Sequence, residues 1–402
     1  MKVALNPIEM ADILRYAIDN NKDLTSQGKK SIAYEIVGEA GTAKSSVVEQ
    51  VAEESGMEFI KINASQVSID DFVGYPVKEY QMCKYDAAGV ETDCHWVAEN
   101  AIPTYVTLGY TYSNHMRMGY ALPKWIQGRT KPLIMLIDDY SRASLPVLQA
   151  TNEIIDRQEY LSWTLPKGST VILTSNPDNG DYLVSATDSA MDTRKLKFEM
   201  KFSADAWALW AEKYGIDNRC LNFILKHPEV IEGVGSAQDE KGNTLAKGNI
   251  RIWTKYFDAL SGIKNFNSEL GLVMNLGSGS IPPEHIIFFT TFIKDGLDRI
   301  QSPKELLTSS LEKAMDHLKD VIDKPEGKRQ DIAAIIAKRL LNFALTKPAE
   351  FTPPMVERYG ELLESGYLSQ DLVIVSARKL ATSPKFVKLA ARPKLLDLLI
   401  VK

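Results

Sequence analysis

The chain has 402 residues and a formal net charge of −5; 45% of its residues are hydrophobic and 25% charged. That is the balance of a globular protein with a buried core, long enough for two or three domains, and it excludes a disordered or fibrous chain. An acidic total argues against binding nucleic acid or anionic lipid over the whole surface, and no apolar run reaches the ~18 residues of a membrane span. The opening residues, MKVALNPIEMADILRYA, carry acids and a proline where a signal peptide would be apolar, so a cytoplasmic location is expected. Three cysteines, an odd number, are not expected to form a disulfide framework.

Residues 8–20 place Ile8, Ile13, Leu14 and Ala17 on one face of an amphipathic helix, followed by a polar link. Ser31–Val37 reads as a buried strand, 38–46 as a glycine-containing loop, and Ser46–Ser55 as a helix stopped by Gly56. Met57–Ile62 is a second strand, and residues 70–130 are long and irregular. Leu133–Ile137 is a third buried strand and Leu145–Arg157 a helix. Glu159–Leu165 and Thr170–Thr174 read as a strand pair around the turn Pro166–Gly168. Buried strands alternating with helices argue for an α/β fold with a parallel sheet. Beyond about residue 203, helical patterns dominate: Ala204–Tyr214, Arg219–Leu225, Ile250–Ser261, Ile286–Leu297, Lys304–Ile322, Gln330–Leu345 and Val356–Glu364. The expected organisation is an N-terminal helix and link (1–28), an α/β domain (29–203) with an insert at about 70–130, a smaller helical domain (204–265) and a helical C-terminal domain (266–402).

Three segments carry chemistry. The run Gly38, Glu39, Ala40, Gly41, Thr42, Ala43, Lys44, Ser45, Ser46 lies between a strand and a helix. It fits the phosphate-loop pattern G-x-x-x-x-G-K-[ST] at every position but one, where Ala43 replaces the last glycine. In such a loop, backbone N–H groups and a helix N-terminus cradle phosphate oxygens. Lys44 would reach the β- and γ-phosphates of ATP, and Ser45 would ligate Mg²⁺. An alanine at position 43 costs nothing if that residue already has helical φ. The second segment is the apolar strand ending in Asp138 and Asp139. Two acids at the C-terminal end of a buried strand are costly unless they serve a cation or a proton. Asp138 would hold the Mg²⁺ shell, mostly through water, and Asp139 would act as general base on the attacking water. In the third, the strand Thr170–Ser175 ends at Asn176, whose amide can bond both a γ-phosphate and that water without adding charge. Incidental glycines, solvated carboxylates and a turn asparagine are the bland alternatives. The order of the three segments along the chain argues against them.

The ordered set GEAGTAKS, LIMLIDDYSRAS, TVILTSNP and SAMDTRKLKF resembles the AAA+ ATPases, and within them the MoxR-like, dynein-related branch. That branch commonly has Ala before the loop lysine and a strand pair before its sensor asparagine, which EYLSWTLPKGSTVILTSNP matches. The resemblance covers roughly residues 30–262. It implies a P-loop NTPase core, a helical lid at 204–265 and an additional helical C-terminal domain. It also implies an arginine finger at Arg194, reaching a neighbour's γ-phosphate, and a sensor arginine at Arg251 in Ile250-Arg251-Ile-Trp253. By resemblance the chain is an ATPase with bound ATP and Mg²⁺, assembled as a homo-oligomeric ring, expected to be a hexamer. It would remodel a protein client, in that branch often a von Willebrand A-type protein. Two departures matter: the second acid is Asp139 where the branch usually has Glu, and Lys195 follows Arg194 where an aromatic is usual, so either cation could be the finger.

The insert is rich in Tyr and Trp, and Gly109–Gly119 is the best candidate for a substrate-facing loop, against the alternative of aromatic core packing. Cys83, Cys94 and His95 lie close together without paired zinc spacing. The stripe Ile332, Ile335, Ile336, Leu340, Phe343 reads as core. Residues 376–402 hold seven Lys/Arg and one Asp, a solvated helix face more than a nucleic-acid surface. Two rivals stand beside the ATPase reading. ATPase stimulation by DNA would favour a nucleic-acid motor or loader, and absence of turnover would favour a nucleotide-bound scaffold.

Overall fold

The computed structural model describes residues 4–178, 192–232, 249–325 and 327–400. It divides into two compact units, Met1–Lys201 and Phe202–Lys402.

The first unit is built on β1 (Ala4–Leu5), α1 (Pro7–Ser26), β2 (Ala33–Val37), α2 (Lys44–Ser55), β3 (Glu58–Asn63) and α3 (Ile69–Val73). It continues with β4 (Tyr75–Tyr85), β5 (Glu91–Ala98), α4 (Ile102–Thr107), β6 (Thr111–Ala121), β7 (Leu133–Asp138) and α5 (Leu145–Arg157). The short β8 (Glu159–Tyr160) and β9 (Trp163–Thr164), then β10 (Thr170–Ser175) and β11 (Lys195–Met200), complete it. Six strands form one sheet in the order β1-β11-β2-β10-β7-β3, every neighbouring pair parallel. Helices cover both faces, as all-parallel sheets require. Met10, Leu14 and Ile18 of α1 and Val47, Val48 and Val51 of α2 pack on Ile36, Ile134, Leu136 and Ile172. On the opposite face, Phe72 of α3 and Val147, Leu148, Ile154 and Ile155 of α5 pack on Ile60, Ile62, Met135, Ile137 and Val171.

Helix α1 runs through much of the expected polar link. Its start is fixed by a capping box, with Asn6 Oδ1 accepting from the Ile8 and Glu9 amides and Glu9 closing back on the Asn6 amide. Its extension is held by buried Asn21, which donates to Ile32 O at 2.9 Å and to Thr170 Oγ1 at 3.1 Å and accepts from the Ile32 amide at 2.8 Å. The expected strand pair is corrected. Glu159–Tyr160 pairs with Trp163–Thr164, while Thr170–Ser175 crosses into the main sheet between β2 and β7.

The segment expected to be irregular is a three-stranded antiparallel sheet, β5-β4-β6. The Asp86–Val90 turn, in which Asp86 Oδ1 accepts from the Ala88 and Val90 amides, sets the register. That register places Cys83 opposite Cys94, and the two form a disulfide, contrary to the expectation from the cysteine count. Glu91 offers a carboxylate oxygen within 4.8 Å of both sulfurs, the single such ligand grouping among the described residues, but the sulfurs are joined to each other. Residues 111–119 lie in strand β6 at the edge of this sheet, not in a loop. Tyr75, Tyr85 and Tyr112 are exposed, and Tyr110 is buried with Met82 and Val97.

The second unit is helical around one hydrophobic cluster that runs from Ala204 to Leu395. Ile332, Ile335, Ile336, Leu340 and Phe343 all lie in it, as their spacing implies. The expected helix Lys304–Ile322 is two helices, Pro303–Thr308 and Leu311–Ile322. Ser310, with extended φ and ψ, caps the second by accepting from the Lys313 amide. Buried Arg339 is matched by Glu212 at 3.1 Å and by Asn222 at 2.9 Å. No helix among the described residues is long and apolar enough to cross a membrane.

Candidate functional site

The site lies at the C-terminal edge of the parallel sheet, where β2, β10 and β7 end side by side and where ligands of open α/β sheets bind. Residues 38–43 connect β2 to α2. The loop is drawn against the strands: the Gly38 amide donates to Ser175 O at 3.1 Å, and a Cβ on Gly38 would stand 2.4 Å from Met200 O. Gly41 has φ +86° and Ala43 φ +71°. The condition under which alanine at position 43 costs nothing, a helical φ, is therefore not met. Ala43 is the N-cap of α2 in the left-handed region, and its side chain supplies no cap. Left-handed backbone at both positions turns the chain sharply between β2 and α2.

Lys44, the first residue of α2, is buried and folds over the loop. Its Nζ donates to Gly38 O at 2.6 Å, to Glu39 O at 2.9 Å and to Asn176 Oδ1 at 3.4 Å. Asn176 is buried at the end of β10, and its own amide donates to Ser141 Oγ at 3.1 Å. Ser45 Oγ donates to Asp138 Oδ1 at 2.6 Å. Thr174 ties the acid pair together, its hydroxyl donating to Asp138 and accepting from the Asp139 amide at 3.2 Å. Lys61 Nζ, from β3, stands 3.2 Å from Asp138 Oδ2 and 3.0 Å from Glu49 Oε1 on α2. Burial by itself would raise the Asp138 pKa. The Ser45 and Thr174 hydroxyls and the Lys61 ammonium outweigh it and hold the carboxyl below its ordinary value. Burial would likewise lower Lys61, but Glu49 and Asp138 raise it, so the pair is charged on both sides. Asp139 has φ +54°, another left-handed non-glycine residue. Among the described residues no side chain is paired with its carboxylate, and the acid is half-buried beside Asp138.

The structure thus brings Lys44, Ser45, Asp138, Asp139 and Asn176 together. It places Arg194 elsewhere in the first unit. Arg194 precedes β11, whose first residue, Lys195, pairs with Ala33 at the start of β2. It is therefore at the opposite edge of the sheet from the loop that follows Val37, and it is exposed. Lys195 is wholly buried, its Nζ 3.1 Å from Glu35 Oε2 and 4.3 Å from the centre of the Tyr140 ring. Such a lysine cannot reach another molecule, so of the two cations only Arg194 is placed at the surface. Residues 189–191 of the SAMDTR segment lie outside the described residues. Arg251 is in the second unit, exposed in the first turn of Ile250–Leu260, where Asn249 Oδ1 accepts its amide at 2.9 Å. Ile250 and Trp253 of the same motif are core residues.

Sequence reasoning passes over Lys61, Thr174 and Glu35, and reads Lys195 only as a possible finger. A signal exists for two of the three: Glu35 and Lys61 are charges inside otherwise apolar strands. Such residues are rarely buried without a partner.

The donor set suits a hard divalent cation, since Ser45 and Asp138 offer only oxygen atoms. The uncapped start of α2, next to a lysine and a left-handed turn, suits a phosphate chain. No protein-family model matches the chain, and no curated protein matches it. Together these findings define a protein with a mixed α/β unit, its parallel sheet flanked by helices, and a distinct helical C-terminal unit.

Proposed function

We propose that the chain is an ATPase of the AAA+ type, of the MoxR-like branch, that binds ATP with Mg²⁺ in the loop 38–46 and uses its hydrolysis to remodel a protein partner. One observation carries the reading. The ends of three neighbouring parallel strands gather a phosphate-loop lysine, a hydroxyl–carboxylate pair, a second carboxylate and an amide in one contiguous cluster.

In this reading Lys44 exchanges its loop carbonyls for phosphate oxygens, as a point charge on a flexible stem can. Ser45 and Asp138 hold the Mg²⁺ shell, which supplies charge neutralisation during phosphoryl transfer. Asp139 orients and deprotonates the attacking water, and Asn176 holds that water without adding charge. Arg194, at the far edge of the sheet, acts on the site of a neighbouring copy, and Arg251 on the nucleotide of its own subunit. Activity then requires a homo-oligomer, a hexameric ring in this reading. A von Willebrand A-type protein is the client class it suggests, and the cytoplasm the compartment.

The test is nucleotide binding by Lys44→Ala. Equilibrium binding of a fluorescent ATP analogue should fall below detection, because the one cation placed to hold the phosphates in the loop is lost. Binding with unchanged affinity would overturn the assignment of the loop.

A further inference from the structure

Every oxygen of Asp138 is already engaged: Oδ1 accepts from Ser45 and Thr174, and Oδ2 faces the Lys61 ammonium. That lysine is not there for packing, since its side chain is 39% exposed and its second partner, Glu49, is 45% exposed on α2. A cation held by Ser45 and Asp138 would share its carboxylate with Lys61, and like charges sharing a site repel. Glu49 offers the ammonium a second seat about as close as the first, 3.0 Å against 3.2 Å.

We propose that Lys61 and Glu49 set the divalent-cation affinity of the Asp138 site. The Lys61 ammonium opposes a cation at Asp138, and Glu49 relieves that opposition by drawing the ammonium towards α2. Lys61 is a positioning residue, with no part in bond making. The proposal rests on the Mg²⁺–ATP reading given above, and its sign can be read without that reading.

The two residues should act in opposite directions, which a merely structural role would not produce. Lys61→Met removes the opposing charge and should lower the half-saturating Mg²⁺ concentration for binding a fluorescent ATP analogue by ~3–10-fold, after allowance for solvent screening of an exposed group. Glu49→Gln leaves the ammonium on Asp138 alone and should raise that concentration severalfold. Binding of the analogue in excess chelator should be the same in both variants and the parent. The same variants are titrated with Mn²⁺ alone, without nucleotide, by water-proton relaxation, and the same opposite shifts are expected. Circular dichroism and thermal melting establish that both variants fold. If the chelator-free shifts are absent, or both variants move the same way, while Lys44→Ala still abolishes nucleotide binding, the Lys61 proposal is wrong and the ATPase reading stands. If Mn²⁺ responds as expected but Lys44→Ala binds nucleotide normally, the ATPase reading fails and the role of Lys61 stands. If Mn²⁺ binding is unaffected in both variants, the proposal fails irrespective of nucleotide.

Discussion

Ala43 is the point at which the phosphate loop departs from its usual glycine, and its backbone gives the departure an energy. At φ +71° and ψ +21° an alanine Cβ crowds its own backbone, which costs roughly 1–2 kcal/mol for an L-residue in the left-handed region. Replacing it with glycine removes that strain but frees the unfolded chain, which costs about 0.4–1 kcal/mol. Ala43→Gly should therefore stabilise the first unit by ~0.5–1 kcal/mol. For a unit of some 200 residues this is a rise in melting temperature of about 1–4 °C. Gly56, which ends the same helix at φ +63° with no atom within 4 Å of where an added Cβ would stand, supplies the mirror control. Gly56→Ala introduces the strain that Ala43→Gly removes, with no clash to confuse it, and should lose about as much stability. Urea unfolding followed by far-UV circular dichroism reads both. If Ala43→Gly is the less stable protein while Gly56→Ala behaves as expected, residue 43 is not left-handed in solution and the loop geometry argued above is wrong.

Three further outcomes are expected. Asp139→Asn should retain Mg²⁺-dependent ATP binding and lose steady-state turnover, since the amide keeps the shape and lacks the basicity; undiminished turnover would take Asp139 out of the mechanism. Arg194→Ala and Lys44→Ala proteins should each be inactive, losing ~10³–10⁵-fold where a finger is removed, and should regain some turnover when co-assembled, because an intact loop then meets an intact arginine. Burial lowers the pKa of His317 and of His285, so the unfolded chain takes up protons first as the pH falls. The contribution of these histidines to stability is complete above about pH 6.5 and shrinks as the pH drops towards their folded values. His317 Nε2 accepts the Gln301 amide at 3.2 Å, an acceptor that protonation removes. Melting temperature between pH 7 and pH 5 should fall less steeply in His317→Gln than in the parent.

What can be read from the sequence is local. Buried strands such as 133–137 announce themselves by composition, and the helix 145–157 by its spacing, because each signal lies within a dozen residues. Pairing does not. The Pro166–Gly168 turn looks like a hairpin turn, yet Thr170 lies beside Ile134, since a buried parallel strand takes partners distant in sequence. The insert hides its sheet for another reason. Its strand β4 is interrupted in pairing between Tyr80 and Met82, and its tyrosines are neither uniformly buried nor uniformly exposed. The helix Leu270–Ser278 is masked because Gly271 and the run Gly277-Ser278-Gly279-Ser280 mimic a loop, although Gly277 is packed against Ile286 and Tyr256, where a Cβ would be crowded. At the site, the motif residues are legible because phosphate and metal chemistry demand particular types in order. Thr174 and Lys61 are not, since their role depends on which strands lie next to β7.

The placement of Arg194 bears on how the proposed activity would be organised. Strand β2 runs from Ala33, level with Lys195, to Val37, after which the phosphate loop begins. At ~3.3 Å per residue, the loop and the start of β11 are separated by some 13 Å along the strand. Lys195 spans part of this distance inside the unit. It pairs with Glu35, which also accepts from Ser175, the residue before Asn176. Removing one partner of a buried ion pair leaves the other uncompensated and is strongly destabilising, so the pair anchors β11 firmly against β2. A rigidly held β11 presents Arg194 at an edge its own loop does not occupy. Under the proposed function, each copy then carries a nucleotide-binding half-site at one edge of the sheet and a cationic half-site at the other. Two such half-sites on one rigid unit complete each other only head to tail, between copies, and a head-to-tail contact that closes on itself makes a ring.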